Sequence, residues 1–231
     1  MKKIAVLTGA GMSAESGLST FRDAGGLWEQ HRVEDVATPE GFMRNPEMVL
    51  NFYNERRKQL LAAKPNAGHY ALAELEKDFE VHIITQNIDN LHERAGSRHV
   101  VHLHGELMKV RSTGPGQEVY ELSPDHLEIH VGDKCPKGYQ LRPHVVWFGE
   151  PVPEIEKAIE IVSEADIFVI IGTSMQVYPA AGLIHYVKPG TPIFLIDPKE
   201  VNITSRNVTV IQKGASEGTK ELLEILKKYK E

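Results

Sequence analysis

Residues Lys3–Asp23 read KIAVLTGAGMSAESGLSTFRD, a short apolar run that breaks at Thr8-Gly9 into a glycine-rich segment. The run Ile4–Leu7 suits a buried first strand; it is too short for a signal-peptide core, although two lysines precede it. Gly9, Gly11 and Gly17 then suit a strand-to-helix turn, where backbone N–H groups approach a pyrophosphate and the helix N-terminus favours its charge. The spacing is not GxGxxG, because Ser13-Ala14 stand where its last part belongs. A tight structural turn accounts for the same glycines. Phe21 and Arg22 place an aromatic ring and a cation in the loop beyond.

The same grammar recurs along the chain. VHIITQN, HVVHLHG, HVVWFGE, DIFVIIGTS, PIFLIDP and VTVIQKG are short, rich in Val and Ile, and bounded by Gly, Pro or polar residues, as buried parallel strands are. Helical patterns at 66–77, 153–164 and 217–230 alternate with them. That order predicts an α/β fold, a Rossmann-like parallel sheet with helices on both faces. Two stretches break it. Residues 27–65 hold no strand pattern but a strong helical one over 46–61. Residues 106–142 are polar and rich in turns such as STGPGQ, LSPDH and GDKCPKG. Both read as insertions that form a smaller module within a single domain of 1–231. The core is then about 1–26, 66–105 and 143–231.

Composition narrows the function. The 231 residues carry a formal net charge of -6, which argues against a basic face gripping nucleic acid. No stretch approaches a membrane span. A single cysteine, Cys135, excludes an intramolecular disulfide and fits a reducing, cytoplasmic compartment.

Several strand ends are chemically dense. TQNIDNLH (Thr85–His92) brings Gln86, Asn87 and Asp89 to the carboxyl edge of the sheet, where amides and a carboxylate suit a ribose and a carboxamide. Turn and cap chemistry uses the same residue types. HVVHLHGE supplies His99, His102 and His104, and a histidine beside Gly105 at a strand's end is placed to act as a base. Metal ligation is the competing reading, weak without an acidic partner motif. VVWFGE (Val145–Glu150) reads as a strand able to pair with an extended peptide. In GTS, Gly172, Thr173 and Ser174 place a glycine and two hydroxyls where an adenosine ribose or phosphate could sit.

Taken together, GAGMSAESGLSTFRD, TQNID, LHGE, VVWFGE and GTSMQVYPA resemble, in order and separation, the sirtuins, the NAD-dependent protein lysine deacylases. The resemblance spans Lys3 to about Gly214. It implies that Gly9, Ala10, Gly11, Ser13, Ala14, Glu15, Phe21, Arg22 and Trp28 line an NAD pocket. Gln86, Asn87, Ile88 and Asp89 would surround the nicotinamide and its ribose. Gly172, Thr173 and Ser174, with Asp197, Pro198, Lys199 and Ala215, would take the adenosine side. His104 matches the general base and Asn87 a second catalytic residue. Val146, Phe148, Gly149 and Glu150 would meet the substrate peptide. NAD would be consumed, giving nicotinamide, free lysine and an O-acyl-ADP-ribose. NAD hydrolysis, ADP-ribosyl transfer, or NAD or ADP-ribose binding without catalysis are the alternatives on the same scaffold. The oligomeric state is not legible.

Two departures refine this resemblance. Most sirtuins hold a structural zinc on two Cys-x-x-Cys pairs. Here Cys135 stands where one pair would begin, Gly138 takes its partner's place, and VRSTGPGQ lacks the other pair. One thiolate cannot build that site, so no zinc is expected. In FYNERR, Tyr53 and Arg56 match the Tyr-x-x-Arg of the subgroup that removes malonyl, succinyl and glutaryl groups, and Ala37 matches its small tunnel residue. An arginine fork takes a carboxylate bidentately while a tyrosine hydroxyl adds a hydrogen bond. The bland alternative is a snorkelling arginine beside a core tyrosine.

Overall fold

The computed structural model describes residues 1–19, 31–123, 125–201, 203 and 207–230. Phe21, Arg22 and Trp28 lie outside them. The main sheet contains β1 (Lys3–Thr8), β2 (Glu80–Thr85), β3 (Val100–His102), β7 (Ile167–Ile171), β8 (Ile193–Ile196) and β9 (Val208–Ile211). Its order is β3-β2-β1-β7-β8-β9, and every pairing is parallel. A strand covered on both faces has no polar side, which is why β7 reads IFVII with all five residues buried. Each such side chain contributes about 1.5–3 kcal/mol by leaving water.

Helices cover both faces. Leu72 and Leu75 of the helix Ala67–Leu75, with Leu222 and Leu226 of Ala215–Leu226, pack on Ile4, Val6 and Val169. Ala158 and Val162 of the helix Ile155–Glu164 pack on Ala5, Leu7 and Ile170 from the other side. The helix Ala67–Leu75 starts where it does because Asn66 accepts from the N–H groups of Gly68 and His69, while His69 accepts from Asn66, a reciprocal cap.

The smaller module is built from helices and a three-stranded antiparallel sheet, β5-β4-β6, with β4 at Gly105–Ser112, β5 at Val119–Glu121 and β6 at Leu141–Val145. Two expectations change here. HVVWFGE is not a parallel strand of the main sheet: pairing stops at Val145, and the strand runs antiparallel to β4. The polar segment after Glu106 is not all turns, since β4 and β5 lie within it. Its alternation is blurred by a register shift between Gly105 and Val110, so the period of two is broken. The long helix α4 (Pro46–Ala62) is capped by Asn45, whose side chain accepts from Met48 N–H, and it has Pro46 in its first turn. Its buried face meets Leu107, Val145 and Trp147. No helix among the described residues is long and apolar enough to cross a membrane.

Candidate active site

The chain leaves β1 toward β2 on one side and leaves β7 toward β8 on the other, so a crevice opens beyond their carboxyl ends. Gly9 N–H donates to the Ile171 carbonyl at 3.0 Å and Gly11 N–H to the Gly172 carbonyl at 2.9 Å. A Cβ on Gly9 would stand 2.7 Å from the Gly172 oxygen, and one on Gly172, at φ +62°, would stand 2.3 Å from Met12 N. Only glycine allows this backbone-to-backbone approach. The Gly9 and Gly11 N–H groups are thus engaged at the end of β7, and the glycines serve the close approach of the two strand ends.

TQNID lies against this turn. Asn87 Nδ2 donates to the Gly9 carbonyl at 2.9 Å and to Ser13 Oγ at 3.3 Å. Its amide hydrogens are thus engaged, which leaves Oδ1 to accept from a ligand. Ser13 donates to Asp89 Oδ2 at 2.9 Å. Burial pushes the Asp89 carboxyl up, against the opposing hydrogen bonds from Leu91 N–H and Ser13. Gln86 Nε2 donates to Thr173 Oγ1 at 3.1 Å, tying this loop to the end of β7. Ala10, Ser13, Leu18, Ser19, Arg56, Leu60, Asn87, Ile88, Asp89 and Leu107 enclose a cavity of about 30 Å³, room for little more than a water. A larger hollow of about 630 Å³ runs along α4 between His31 and Gln59, away from the strand ends. The chemistry points to the smaller one, and Arg56 lines both.

The two histidines of HLHG differ in their partners. His104 Nδ1 lies 3.1 Å from the Gln86 carbonyl, so this nitrogen carries the hydrogen and Nε2 keeps a lone pair. Burial lowers its pKa, and the Gln86 carbonyl offsets that only in part, so the ring is held neutral. His104 is not in the wall of the small cavity but is joined to it through the neighbour of Asn87. His102 is instead bracketed by the Asn87 carbonyl at 3.2 Å and Glu93 at 2.6 Å.

On α4, Arg56 reaches the cavity wall and Tyr53 does not. The Tyr53 hydroxyl accepts from Trp147 Nε1 at 2.9 Å; burial pushes its pKa up to about 12, so it stays a neutral phenol. Burial lowers the Arg56 pKa, against the opposing charge of Asp89. Ala37 is buried in the same cluster, and its carbonyl accepts from Phe148 N–H at 2.9 Å.

VVWFGE continues past the end of β6, with N–H groups engaged within the protein. Val146 N–H donates to the His104 carbonyl, Trp147 N–H to Glu150 Oε2 and Glu150 N–H to the Trp147 carbonyl. Glu150 is also clamped by Arg111 at 2.9 Å and Arg142 at 2.7 Å, so its carboxylate serves the module rather than a peptide. Phe148 is exposed and Gly149 has φ +90°. On the adenosine side, Ser174 is exposed, Asp197 Oδ1 accepts from Lys199 N–H at 2.9 Å, and Pro198 is exposed. Ala215 is buried at the start of its helix, where Glu15 accepts from Ser216 N–H at 3.2 Å. Glu15 thus meets the first turn of that helix. Cys135 is buried, with Sγ 3.3 Å from Ser112 Oγ. Among the described residues, no group of three or more His, Cys, Asp or Glu could hold a metal.

Leu60 and Leu107 in the cavity wall were not foreseen, nor was Trp147 as the partner of Tyr53. Leu60 lies four residues beyond Arg56 on α4, and that spacing was the one available signal.

Residues 9–179 match the Sir2 family. An NAD-dependent protein deacylase of Bacteroides thetaiotaomicron is 64% identical over 98% of both chains. A mutant Sir2 homologue solved with ADP-ribose superposes with a TM-score of 0.90 at 42% identity, over 99% of this chain and 93% of that one. A Sir2 homologue–NAD complex gives 0.87 at 42%, over 100% and 91%.

Proposed function

The chain belongs to the Sir2 family, and from that premise we propose that it is an NAD-dependent protein lysine deacylase preferring malonyl- and succinyl-lysine over acetyl-lysine. The observation that carries this reading is the meeting of Ser13, Asn87 and Asp89 with Arg56 around one cavity, beside a neutral histidine. The donor set fits NAD: Ser13, Gln86, Asn87, Ile88 and Asp89 would hold the nicotinamide ribose. Gly172–Ser174, with Asp197–Lys199 and Ala215 further out, would hold the adenosine end. When bound, NAD would supply a nicotinamide leaving group and an ADP-ribosyl acceptor for the acyl group, and with a water consumed the products would be nicotinamide, lysine and O-acyl-ADP-ribose.

The residues divide the work. Asn87 Oδ1 accepts from a ribose hydroxyl. His104 Nε2, its lone pair exposed by the Nδ1 bond to Gln86, takes a hydroxyl proton. Arg56 in the wall offers a planar fork to a carboxylate at the end of the acyl chain. Tyr53, kept protonated by burial, stands next to it on the same helix.

The test is nicotinamide release from NAD with one peptide carrying acetyl-, malonyl- or succinyl-lysine, and with no peptide. Release should be fastest with the acidic acyl groups and negligible without peptide. Equal release with and without peptide would reduce the protein to an NAD hydrolase. The small module should also hold no zinc, its packing resting on Leu50, Val110 and Ile129; stoichiometric zinc by elemental analysis after dialysis would overturn that.

A further inference from the structure

Two consecutive carbonyls in TQNID are each taken by a histidine of HLHG. His104 meets that of Gln86, and His102 Nδ1 that of Asn87. The other ring nitrogen of His102 lies 2.6 Å from Oε1 of Glu93, on the short helix Leu91–Arg94. Amide carbonyls and carboxylates only accept, so a ring held between them must donate from both nitrogens, and that ring is an imidazolium. We infer that Glu93 and His102 are a positioning pair, a carboxylate-backed imidazolium that holds the Asn87 carbonyl and so sets where Asn87 presents its side-chain oxygen.

The rest of Asn87 is already anchored. Its N–H donates to Thr85 Oγ1 at 3.0 Å, and that hydroxyl is held by Thr8 at 2.8 Å. Its side-chain nitrogen is engaged by Gly9 and Ser13. The peptide that follows Asn87 is the remaining freedom, and His102 removes it. The His102 side chain is 8% exposed, so water is a poor substitute.

The arrangement is sensitive to pH. Burial pulls the His102 pKa down, but the hydrogen bond and charge of Glu93, with Glu106 and the Asn87 carbonyl, more than reverse this. Asp89 and His92 also feel its charge, and Lys109 acts on Glu93. The cation is complete below the ordinary histidine pKa of about 6.5 and is lost as pH rises through the raised value. Once neutral, the ring has one N–H for two acceptors, and the Asn87 carbonyl competes with Glu93.

This inference rests on the deacylase reading only for its kinetic arm. The pH profile of kcat for nicotinamide release is compared among wild type, Glu93→Gln, His102→Asn and His102→Ala. Glu93→Gln should move the alkaline limb to lower pH by about one unit, since the charge that held the cation is gone. His102→Asn keeps a donor near Nδ1 and does not titrate, so that limb should vanish. His102→Ala should lose about tenfold in kcat, as misplacement of a catalytic group does, with KM little changed. Alkaline limbs superimposable on wild type would overturn the pair. The second arm needs no activity: in the protein alone, the ¹³C shift of the Asn87 carbonyl should titrate together with the His102 ring, and a flat response would overturn the proposal. A wild type that releases no nicotinamide would sink the deacylase reading, and the carbonyl titration would still decide the pair.

Discussion

Replacing His104 by alanine should lower deacylation by about 10²–10⁴-fold, the usual worth of a positioned general base. The expectation follows from how the ring is held. Its Nδ1 hydrogen is engaged by Gln86, so the tautomer is fixed with Nε2 open, and burial keeps the ring neutral. The sign of the pH effect is set by the same facts. A base must be unprotonated, and its pKa lies below the ordinary 6.5. Activity should therefore persist as pH falls through 6.5 and be lost only beneath it. His104→Ala should keep its circular dichroism spectrum and its NAD affinity. Normal turnover in that folded variant would remove His104 from the mechanism.

Arg56→Met should cost about 1.5–3 kcal/mol on succinyl-lysine, roughly ten- to a hundredfold in kcat/KM, the worth of a hydrogen bond to a charged group. Acetyl-lysine, which carries no carboxylate, should lose far less. Methionine keeps an unbranched apolar stem where Arg56 Cζ lies 6.0 Å from the centre of the Phe52 ring, so part of the wall is retained. Arg56→Lys keeps the charge and discards the planar fork, and its succinyl activity should fall between the two. Equal losses on both acyl groups would assign Arg56 to the architecture of α4 and not to substrate choice.

The parallel strands were legible because burial on both faces leaves nothing but Val, Ile, Leu and Phe, as in IFVII and IFLI. The same rule misled at HVVWF. Trp147 is as apolar and as buried as a strand residue, but it is buried under the Arg142 guanidinium, 3.4 Å from its ring, beyond the last paired residue. Apolar runs report burial, and burial has more than one cause. β4 was missed for the converse reason, since GELMKVRS bends before its alternation is established.

The candidate site was legible as residue types and not as connections. Gly9 and Gly11 were singled out by spacing, yet Gly172, 161 residues after Gly11, explains why they are glycine. His102 and His104 are one repeat apart and look alike in sequence. A carboxylate nine residues before His102 makes one a cation, and its absence from the other leaves a base. The ion pair of Glu150 is equally out of the sequence's reach, since nothing there pairs it with Arg111, 39 residues earlier.

The central position of β1 also constrains how the protein is made. β1 needs β7 as well as β2, and the contact from Lys3 to Asp166 spans 163 residues. At the ribosome's pace of about 5–20 residues per second, the nascent chain carries β1 with one edge bare for roughly 8–30 s. The turn around Gly9 has nothing to close against until Gly172 has left the exit tunnel. An N-terminal fragment that stops short of β7 would therefore expose a parallel apolar edge and have no site, which makes this stretch of synthesis the time when the nascent chain most needs a chaperone.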